Sequence, residues 1–379
     1  MKGCLEIHGI AALPSVARDD VYMAYDIITI GSATRDVFMT STALHPHRAP
    51  DVATHIEACF PFGAKIGVDE IYFSTGGGAT NSAITFSRLG KMHAAAVCRI
   101  AEDSAGKEVL DALHKDHVGT ELVQVVEGHT HKEHTGYSTI LSPGGDIGER
   151  SILVYRGASE KIEHEKILWR KLHAKWFYVT SLGGDFALLK KILVHAKSIG
   201  ARVAFNPGRQ ELDAKKLRNV IASGAKQSRE EKNALKPLDI LILNREEAAK
   251  LTGEKLENTK GLLRALASFA PLVLMTDGSK GAYAIVKSQI TNHKSQKTEA
   301  YYIPSVGHKP KNLTGAGDAF GSGFLVGWMK SGGDIIEALR VGSFNADSVV
   351  QNVGAKRGIL DAYPSQKQIV SLSVKKIKV

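Results

Sequence analysis

The chain has 379 residues, of which 43% are hydrophobic, so it can bury a large core. Its three cysteines show no metal-site spacing, and we expect a reduced, cytoplasmic protein. No window approaches the ~20 uninterrupted apolar residues of a transmembrane helix, and residues 1–24 lack the apolar run of a signal peptide. We therefore predict no membrane partner.

The formal net charge of +10 raises the question of a nucleic-acid partner. The basic residues are spread along the chain, with local clusters at 287–297 and in the last residues. No aromatic-rich basic motif accompanies them, so nucleobases would have no stacking platform. We predict no nucleic-acid partner.

Short β-rich runs alternate with helical stretches along most of the chain. The predicted strands are residues 26–31, 94–100, 175–181, 202–206, 238–244 and 271–276. The predicted helices are Thr80–Leu89, Ala105–His117, Asp185–Ile199, Arg245–Leu251 and Thr259–Phe269. Near-continuous apolar strands alternating with helices predict an α/β, doubly wound, mostly parallel sheet with helices on both faces. Ligands of such sheets bind beyond the carboxyl ends of the strands.

Two segments break this alternation, at residues 35–75 and 136–156. The second reads as two strands joined by a glycine-rich turn. We predict that the two segments form a small β lid over the rim of the sheet. Residues 222–236 and 287–300 are polar and predict surface loops.

The predicted domain organisation is simple. An N-terminal extension covers residues 1–24, one domain covers 25–365, and a basic tail covers 366–379.

The segment NLTGAGDAFGSGF, residues 312–324, contains four glycines around one acid and continues into apolar residues. The pattern predicts a helix beginning near Gly315, whose first N–H groups would bind an anion. Asp318 in its first turn would instead accept a proton. The chain has no P-loop motif, and the spacing here is not that of a dinucleotide-binding fingerprint.

TGAGDAFGSG at 314–323 resembles the C-terminal signature of the ribokinase-like, or PfkB, sugar and nucleoside kinases. GGGATNSAITFSRLG at 76–90 resembles the N-terminal signature of the same family. Other motifs agree in order and spacing over roughly residues 25–360. The resemblance implies an ATP- and Mg²⁺-dependent enzyme that phosphorylates a hydroxymethyl group of a sugar or nucleoside.

The resemblance also implies roles for individual residues. Asp318 matches the catalytic base, and the backbone N–H groups of Gly315, Ala316 and Gly317 match the anion hole for the transferring phosphoryl group. Four further residues match the substrate-binding set: Asp36, Gly76, Gly77 and Asn81. A carboxylate and an amide suit a polyol, because they hydrogen bond to hydroxyl groups.

Asn244 and Glu247 match an N-x-x-E pair associated with magnesium and phosphate, in which Glu247 is matched to the metal and Asn244 to the cofactor. An alternative is that Asn244 only caps the helix that follows it. The residues matched to nucleotide contacts are Thr276, Gly278, Gly281 and, in the last long helix, Asn345. Arg156 and Arg209 would meet an anionic group or lie in solvent.

Two alternatives stay open. One is an adenosine-type nucleoside kinase, with an aromatic wall for the base from Phe38, Phe60, Phe62 and Tyr72, which would otherwise form the core of the lid. The other is a catalytically weak family member that senses a nucleotide or sugar. A homodimer through the β lid is a further expectation.

Asn312 departs from the family pattern, which usually has aspartate three residues before the first glycine. In family members that K⁺ activates, this acid helps to hold the ion. An amide lacks its negative charge, so we expect weak or no activation by a monovalent cation.

Overall fold

The computed structural model describes residues 24–48, 56–59, 63–126, 133–143, 150–225, 238–288 and 297–379. The strands are β1 Tyr25–Ile30, β2 Thr34–Thr40, β3 Pro46–Arg48, β4 Ile56–Ala58, β5 Glu70–Gly76, β6 Ala94–Val97, β7 Arg99–Ala101, β8 Gln124–Val126, β9 Gly136–Ser142, β10 Ser151–Tyr155, β11 Ala174–Val179, β12 Arg202–Phe205, β13 Ile240–Asn244, β14 Leu272–Thr276, β15 Ala282–Ser288, β16 Lys297–Ile303 and β17 Lys375–Ile377. The α-helices are α1 Gly78–Arg88, α2 Ser104–Lys115, α3 Phe186–Ser198, α4 Ala214–Ala225, α5 Arg245–Thr252, α6 Thr259–Leu266, α7 Ala316–Lys330, α8 Ile335–Val350 and α9 Gln366–Ser371. Every strand and helix that the sequence predicted is present, although the run at 94–100 is divided between β6 and β7.

The main sheet has the order β17-β16-β15-β14-β13-β12-β11-β1-β6. Six neighbouring strands, from β6 to β14, are parallel, and β15, β16 and β17 are antiparallel. Because side chains alternate along a strand, Phe177 and Val179 pack with α3 to α6, whereas Trp176 and Tyr178 pack with α1, α7 and α8. The prediction of a mostly parallel sheet with helices on both faces is confirmed.

A separate sheet of four strands has the order β10-β9-β2-β5. It unites the two segments that break the alternation, as predicted. Strand β2 is central, antiparallel to β5 and parallel to β9, so Asp36 lies opposite Ser74 on one side and Ser138 on the other. This sheet is called the lid sheet below.

Two segments differ from their sequence-based description. Residues 366–379 contain α9 and β17, and β17 extends the main sheet by pairing with β16. Val374 and Ile377 pack on opposite faces of that sheet, which the basic composition of the segment concealed. Residues 297–300, expected in a loop, begin β16, where Ala300 is buried. Most of 222–236 and residues 289–296 lie outside the described residues.

Candidate active site

The start of α7 is built for close approach of a ligand to the backbone. Gly315 is the N-cap, with a left-handed φ of 83°. A Cβ at this position would lie 2.5 Å from Cβ of Ala355, so both the conformation and the packing require glycine. Nothing lies within 4 Å of the position of a Cβ on Gly317, so the first turn of the helix faces open space. Its N–H groups and partial positive charge suit an anion.

A cavity of about 220 Å³ lies between this helix start and the lid sheet. It brings together five predicted residues from distant parts of the chain: Asp36, Gly77, Asn81, Gly315 and Asp318. Gly76 does not line the cavity, but it lies directly against Asp36, where any Cβ would overlap the carboxylate. Three of the predicted substrate residues therefore line the same cavity as Gly315 and the predicted base, Asp318.

Asn81 and Asp318 are joined directly. The amide nitrogen of Asn81 donates a 2.9 Å hydrogen bond to Oδ2 of Asp318. Among the described residues, the amide oxygen of Asn81 is buried without a hydrogen-bond partner. A buried unpaired acceptor is costly, and a hydroxyl group of a ligand would satisfy it.

Burial raises the pKa of both carboxyl groups in this cavity. For Asp318, burial outweighs the hydrogen bond from Asn81 and the charge of Lys356, which lower the pKa, and Asp36 raises it further. Asp36 is 5% exposed and accepts a 2.9 Å hydrogen bond from the Thr34 hydroxyl. Its pKa is also raised by burial, against the lowering effects of Thr34, Lys356 and Ser138. A raised carboxylate pKa is characteristic of a general base.

The sequence analysis missed Lys356, a buried residue that hydrogen bonds to neighbours of the predicted substrate residues. It is 7% exposed, and its ammonium group donates hydrogen bonds of 2.8 Å to the hydroxyls of Thr75 and Thr80. Burial lowers its pKa to about 8, although neighbouring acids raise it. The only sequence signal was a lysine within a small and apolar stretch, VGAKRGIL, after the last long helix.

A second cavity, of about 400 Å³, lies on the other side of the α7 start. Ala316 and Gly317 line it, together with three predicted nucleotide contacts, Thr276, Gly278 and Gly281. Gly278 and Gly281 flank the turn between β14 and β15, as the sequence indicated.

The prediction for Asn345 requires correction, because this residue does not line the second cavity. It is fully buried, donates to the carbonyl of Ala319 and accepts from the N–H of Leu360. The residues of α8 that do line the cavity are Ser343, Ala346, Asp347 and Val350. Their spacing defines one helical face, and Asn345 lies on another.

Asn244 and Glu247 form a reciprocal capping box at the start of α5. Oδ1 of Asn244 accepts from the N–H of Glu247 at 2.8 Å, and Oε2 of Glu247 accepts from the N–H of Asn244 at 2.9 Å. Asn244 therefore caps α5, and because it also lines a cavity of about 800 Å³ with Thr276 and Gly278, the capping role and the ligand role are not exclusive. Burial raises the pKa of Glu247, and the charge of Asp318 raises it further.

Within the described ranges, no group of three or more histidine, cysteine, aspartate or glutamate side chains could hold a metal ion. A Mg²⁺ ion bound mainly by phosphate oxygens and water needs only one or two protein carboxylates. Glu247 uses one carboxylate oxygen in its capping bond, which is compatible with such a site.

The two candidate arginines, Arg156 and Arg209, have different surroundings. Arg156 lines the 220 Å³ cavity, and the charge of Arg209 lowers the pKa of Glu247.

Phe38 and Tyr72 contact each other at 6.1 Å between ring centroids and do not line the cavity, so they belong to the lid core. Phe60 and Phe62 lie outside the described residues. The apolar lining comes instead from Ile140, Ile152 and Val154 of the lid sheet.

No helix in the described part of the chain is long and apolar enough to cross a membrane.

Comparison with known proteins agrees with this architecture. The family model described as pfkB family carbohydrate kinase matches residues 54–362. A ribokinase from Staphylococcus aureus is 25% identical over 346 residues, covering 89% of this chain and 97% of the relative. A cytidine kinase from Thermococcus kodakarensis is 26% identical over 76% of this chain and 95% of its own.

Solved structures show the same fold. The structure of Arabidopsis thaliana ribokinase complexed with ribose and ATP has a TM-score of 0.60 and 23% identity, covering 92% of this chain and 98% of that one. The family model extends over most of the chain and includes both signature segments. This chain is a kinase that belongs to the pfkB family of carbohydrate kinases.

Proposed function

We propose that this kinase transfers the γ-phosphoryl group of ATP to a hydroxymethyl group of a small sugar. The observation that carries the proposal is the position of the α7 start between two cavities. Gly315 and Asp318 face the 220 Å³ cavity, and Ala316 and Gly317 face the 400 Å³ cavity. An acceptor in the first and a nucleotide in the second would meet at the N–H groups of one helix terminus.

The chain's own groups have distinct tasks in this reaction. The hydroxymethyl oxygen bonds to the γ-phosphorus while the bond to the ADP oxygen breaks, and the hydroxyl proton passes to Asp318. The N–H groups at 315–317 stabilise the negative charge of the transferring group. Asp36 and Asn81 hold hydroxyl groups of the sugar and so fix the direction of attack.

The residues present fit ATP and a divalent cation. Thr276, Gly278 and Gly281 would hold the nucleotide, next to an apolar wall that includes Val306, Leu313 and Phe320. Glu247 and Asn244 would hold Mg²⁺ and phosphate. Bound there, the cation would neutralise phosphate charge.

The size of the acceptor cavity favours a sugar. About 220 Å³ lies below the range of about 300–1,000 Å³ typical of pockets for larger ligands. A nucleoside remains the second candidate, because Ile140, Ile152 and Val154 offer an apolar surface to a base. A relative named ribokinase and one named cytidine kinase are almost equally similar to this chain, so similarity does not separate the two.

The experiment is an acceptor panel of pentoses, hexoses, sugar acids and nucleosides, with ADP release as the readout. The proposal expects ADP release that depends on one sugar class. Release only with nucleosides would favour the second candidate. Binding of ATP without acceptor-dependent turnover would favour a sensing role.

The lid sheet supports the prediction of a homodimer. Strand β10 is the edge of that sheet and its five residues are exposed, with Leu153 at 61% and Val154 at 54%. On β5, Ile71 and Phe73 are also exposed. An apolar edge of this kind pairs readily with a second copy. We expect light scattering to give a dimer mass that Leu153→Glu reduces to a monomer; a wild-type monomer would contradict the prediction.

A further inference from the structure

One short segment after α8 contacts three parts of the proposed site. Ala355 is 2% exposed and packs under Gly315, so closely that a side chain at Gly315 would collide with it. The next residue, Lys356, places its ammonium group between Thr75 at the end of β5 and Thr80 in α1. The segment thus lies beneath both the anion hole and the substrate residues.

Four ionisable groups act on the buried charge of Lys356: Asp36, Cys98, Asp116 and Asp318. Asp116 already has a cationic partner, because Arg88 donates two hydrogen bonds of 2.8 Å to its carboxylate. Burial raises the pKa of the Cys98 thiol to about 12, which leaves it neutral. The acids that depend on Lys356 are therefore Asp36 and Asp318.

Without Lys356, negative charge would dominate the surroundings of Asp318. Asp36 and Glu247 are negative neighbours of Asp318, and Tyr178 is a neutral buried phenol whose pKa burial raises. Lys356 is the cation that lowers the pKa of both Asp36 and Asp318. Without such a partner, the pKa of a buried carboxylate rises further, so a larger fraction of it is protonated at a given pH and unable to accept a proton.

We propose that Lys356 is a positioning residue for phosphoryl transfer, whose ammonium group keeps Asp36 and Asp318 ionised and ties the end of β5 to α1. It acts through these residues and does not touch the substrate. The inference rests on the proposed function, since it assigns Asp318 the role of base.

The first test is the pH dependence of kcat in three variants. Lys356→Gln keeps hydrogen-bond donors without the charge, Lys356→Met keeps the length of the stem, and Lys356→Arg keeps the charge. We expect the acidic limb of kcat to move up by about one pH unit in the Gln and Met variants, because they remove a positive charge that lowers the pKa of Asp318, and an opposite charge near a carboxylate typically lowers its pKa by about that amount or more. The Arg variant should keep the wild-type limb. Lys367→Gln, an exposed site on α9, is the matched control.

A structural role alone would give a different result. If Lys356 only anchors β5 and α1, kcat and KM change in the neutral variants while the acidic limb stays in place, and the proposal is wrong. If neither the Gln nor the Met variant melts cooperatively, the Lys356→Arg variant provides the test. A shift of the acidic limb of kcat in that variant, which keeps the positive charge, also overturns the proposal.

A second test does not use activity. The native pKa of Lys356 is about 8 and its ordinary value is 10.5, so between these values the unfolded chain binds a proton that the native protein does not. Stability therefore rises with pH across this window in the wild type, relative to Lys356→Gln. We expect the Tm of the wild type minus the Tm of Lys356→Gln to increase from pH 8 to pH 10.5. A constant difference would contradict the lowered pKa of Lys356, and with it the desolvated ammonium group from which the inference is argued.

The two hypotheses fail separately. Wild-type protein that consumes no ATP with any acceptor contradicts the proposed function, whereas the Tm profile still tests the buried charge. Active wild-type enzyme with an unshifted acidic limb in Lys356→Gln contradicts only the inference.

Discussion

Asp318→Asn removes the proposed base while keeping the shape of the site. The substituted amide presents an oxygen in the same place, so it can still accept the 2.9 Å hydrogen bond from Asn81. The change therefore removes a negative charge and a basic oxygen, with no loss of volume. The helix start at Gly315 and the two cavities should be unchanged.

The expected loss is in kcat. General base catalysis contributes about 10²- to 10⁴-fold, and each factor of ten corresponds to about 1.4 kcal/mol of activation free energy. Asp36 also lines the acceptor cavity, but it is 5% exposed and bonded to Thr34, which makes it a poor substitute base. We expect kcat to fall at least ~10²-fold, a loss of about 2.7 kcal/mol or more in transition-state stabilisation.

The thermal stability of the Asp318→Asn variant should not fall with its kcat. The raised pKa of Asp318 means that ionisation is less favourable in the native protein than in the unfolded chain, so native stability is lost as pH rises from 3.8 through the native pKa. The Asn variant has no such loss, and at pH 7 it should melt at the wild-type temperature or above. The assay is steady-state ADP release at saturating ATP and acceptor, with ATP binding and Tm measured on the same samples. Near-normal turnover in a folded variant would refute the role of Asp318.

Three further predictions concern residues around the two cavities. Replacing Asp36 or Asn81 with Ala should cost about 1.5–3 kcal/mol of sugar binding, a rise of about 10- to 150-fold in the KM for the sugar with little change in the KM for ATP. An equal effect on both substrates would exclude these residues from the acceptor site. Exchange of K⁺ for Na⁺ or a bulky organic cation at constant ionic strength should leave kcat nearly unchanged. The reason is that the Asn312 side chain has no charge and its oxygen already accepts a 2.7 Å hydrogen bond from the N–H of Thr314. A several-fold activation by K⁺ would contradict this prediction. Asn345→Ala should reduce the free energy of unfolding by about 1–3 kcal/mol without changing the KM for ATP, since it removes the hydrogen bonds to the carbonyl of Ala319 and from the N–H of Leu360. An intact Tm with a raised KM would restore the nucleotide contact.

Local sequence patterns predicted much of the fold and of the acceptor site. Apolar periodicity located the parallel strands, and the glycine-rich segment located the α7 start, because backbone requirements there restrict the residue type directly. Asp36, Asn81 and Asp318 could be matched to motifs whose order along the chain was intact. Their meeting in one cavity follows from the fold.

The failures have physical causes. Lys356 hydrogen bonds to Thr75 and Thr80, which precede it in the chain by 281 and 276 positions. No local sequence pattern encodes such a contact. The position of Asn345 in a helix was evident, but the face it occupies depends on how α8 packs. Strand β17 has only three residues and owes its structure to pairing with β16. In each case tertiary contacts decided the outcome.

The central claim is that an acceptor in the 220 Å³ cavity receives a phosphoryl group from ATP in the neighbouring one. The most direct measurement is phosphorus NMR of the reaction mixture, with ATP, Mg²⁺ and each acceptor that supports ADP release. We predict one phosphomonoester signal, coupled to the protons of a hydroxymethyl group of a sugar, that grows in equal amount with ADP. Formation of inorganic phosphate alone, or of no product with any acceptor, would contradict this account.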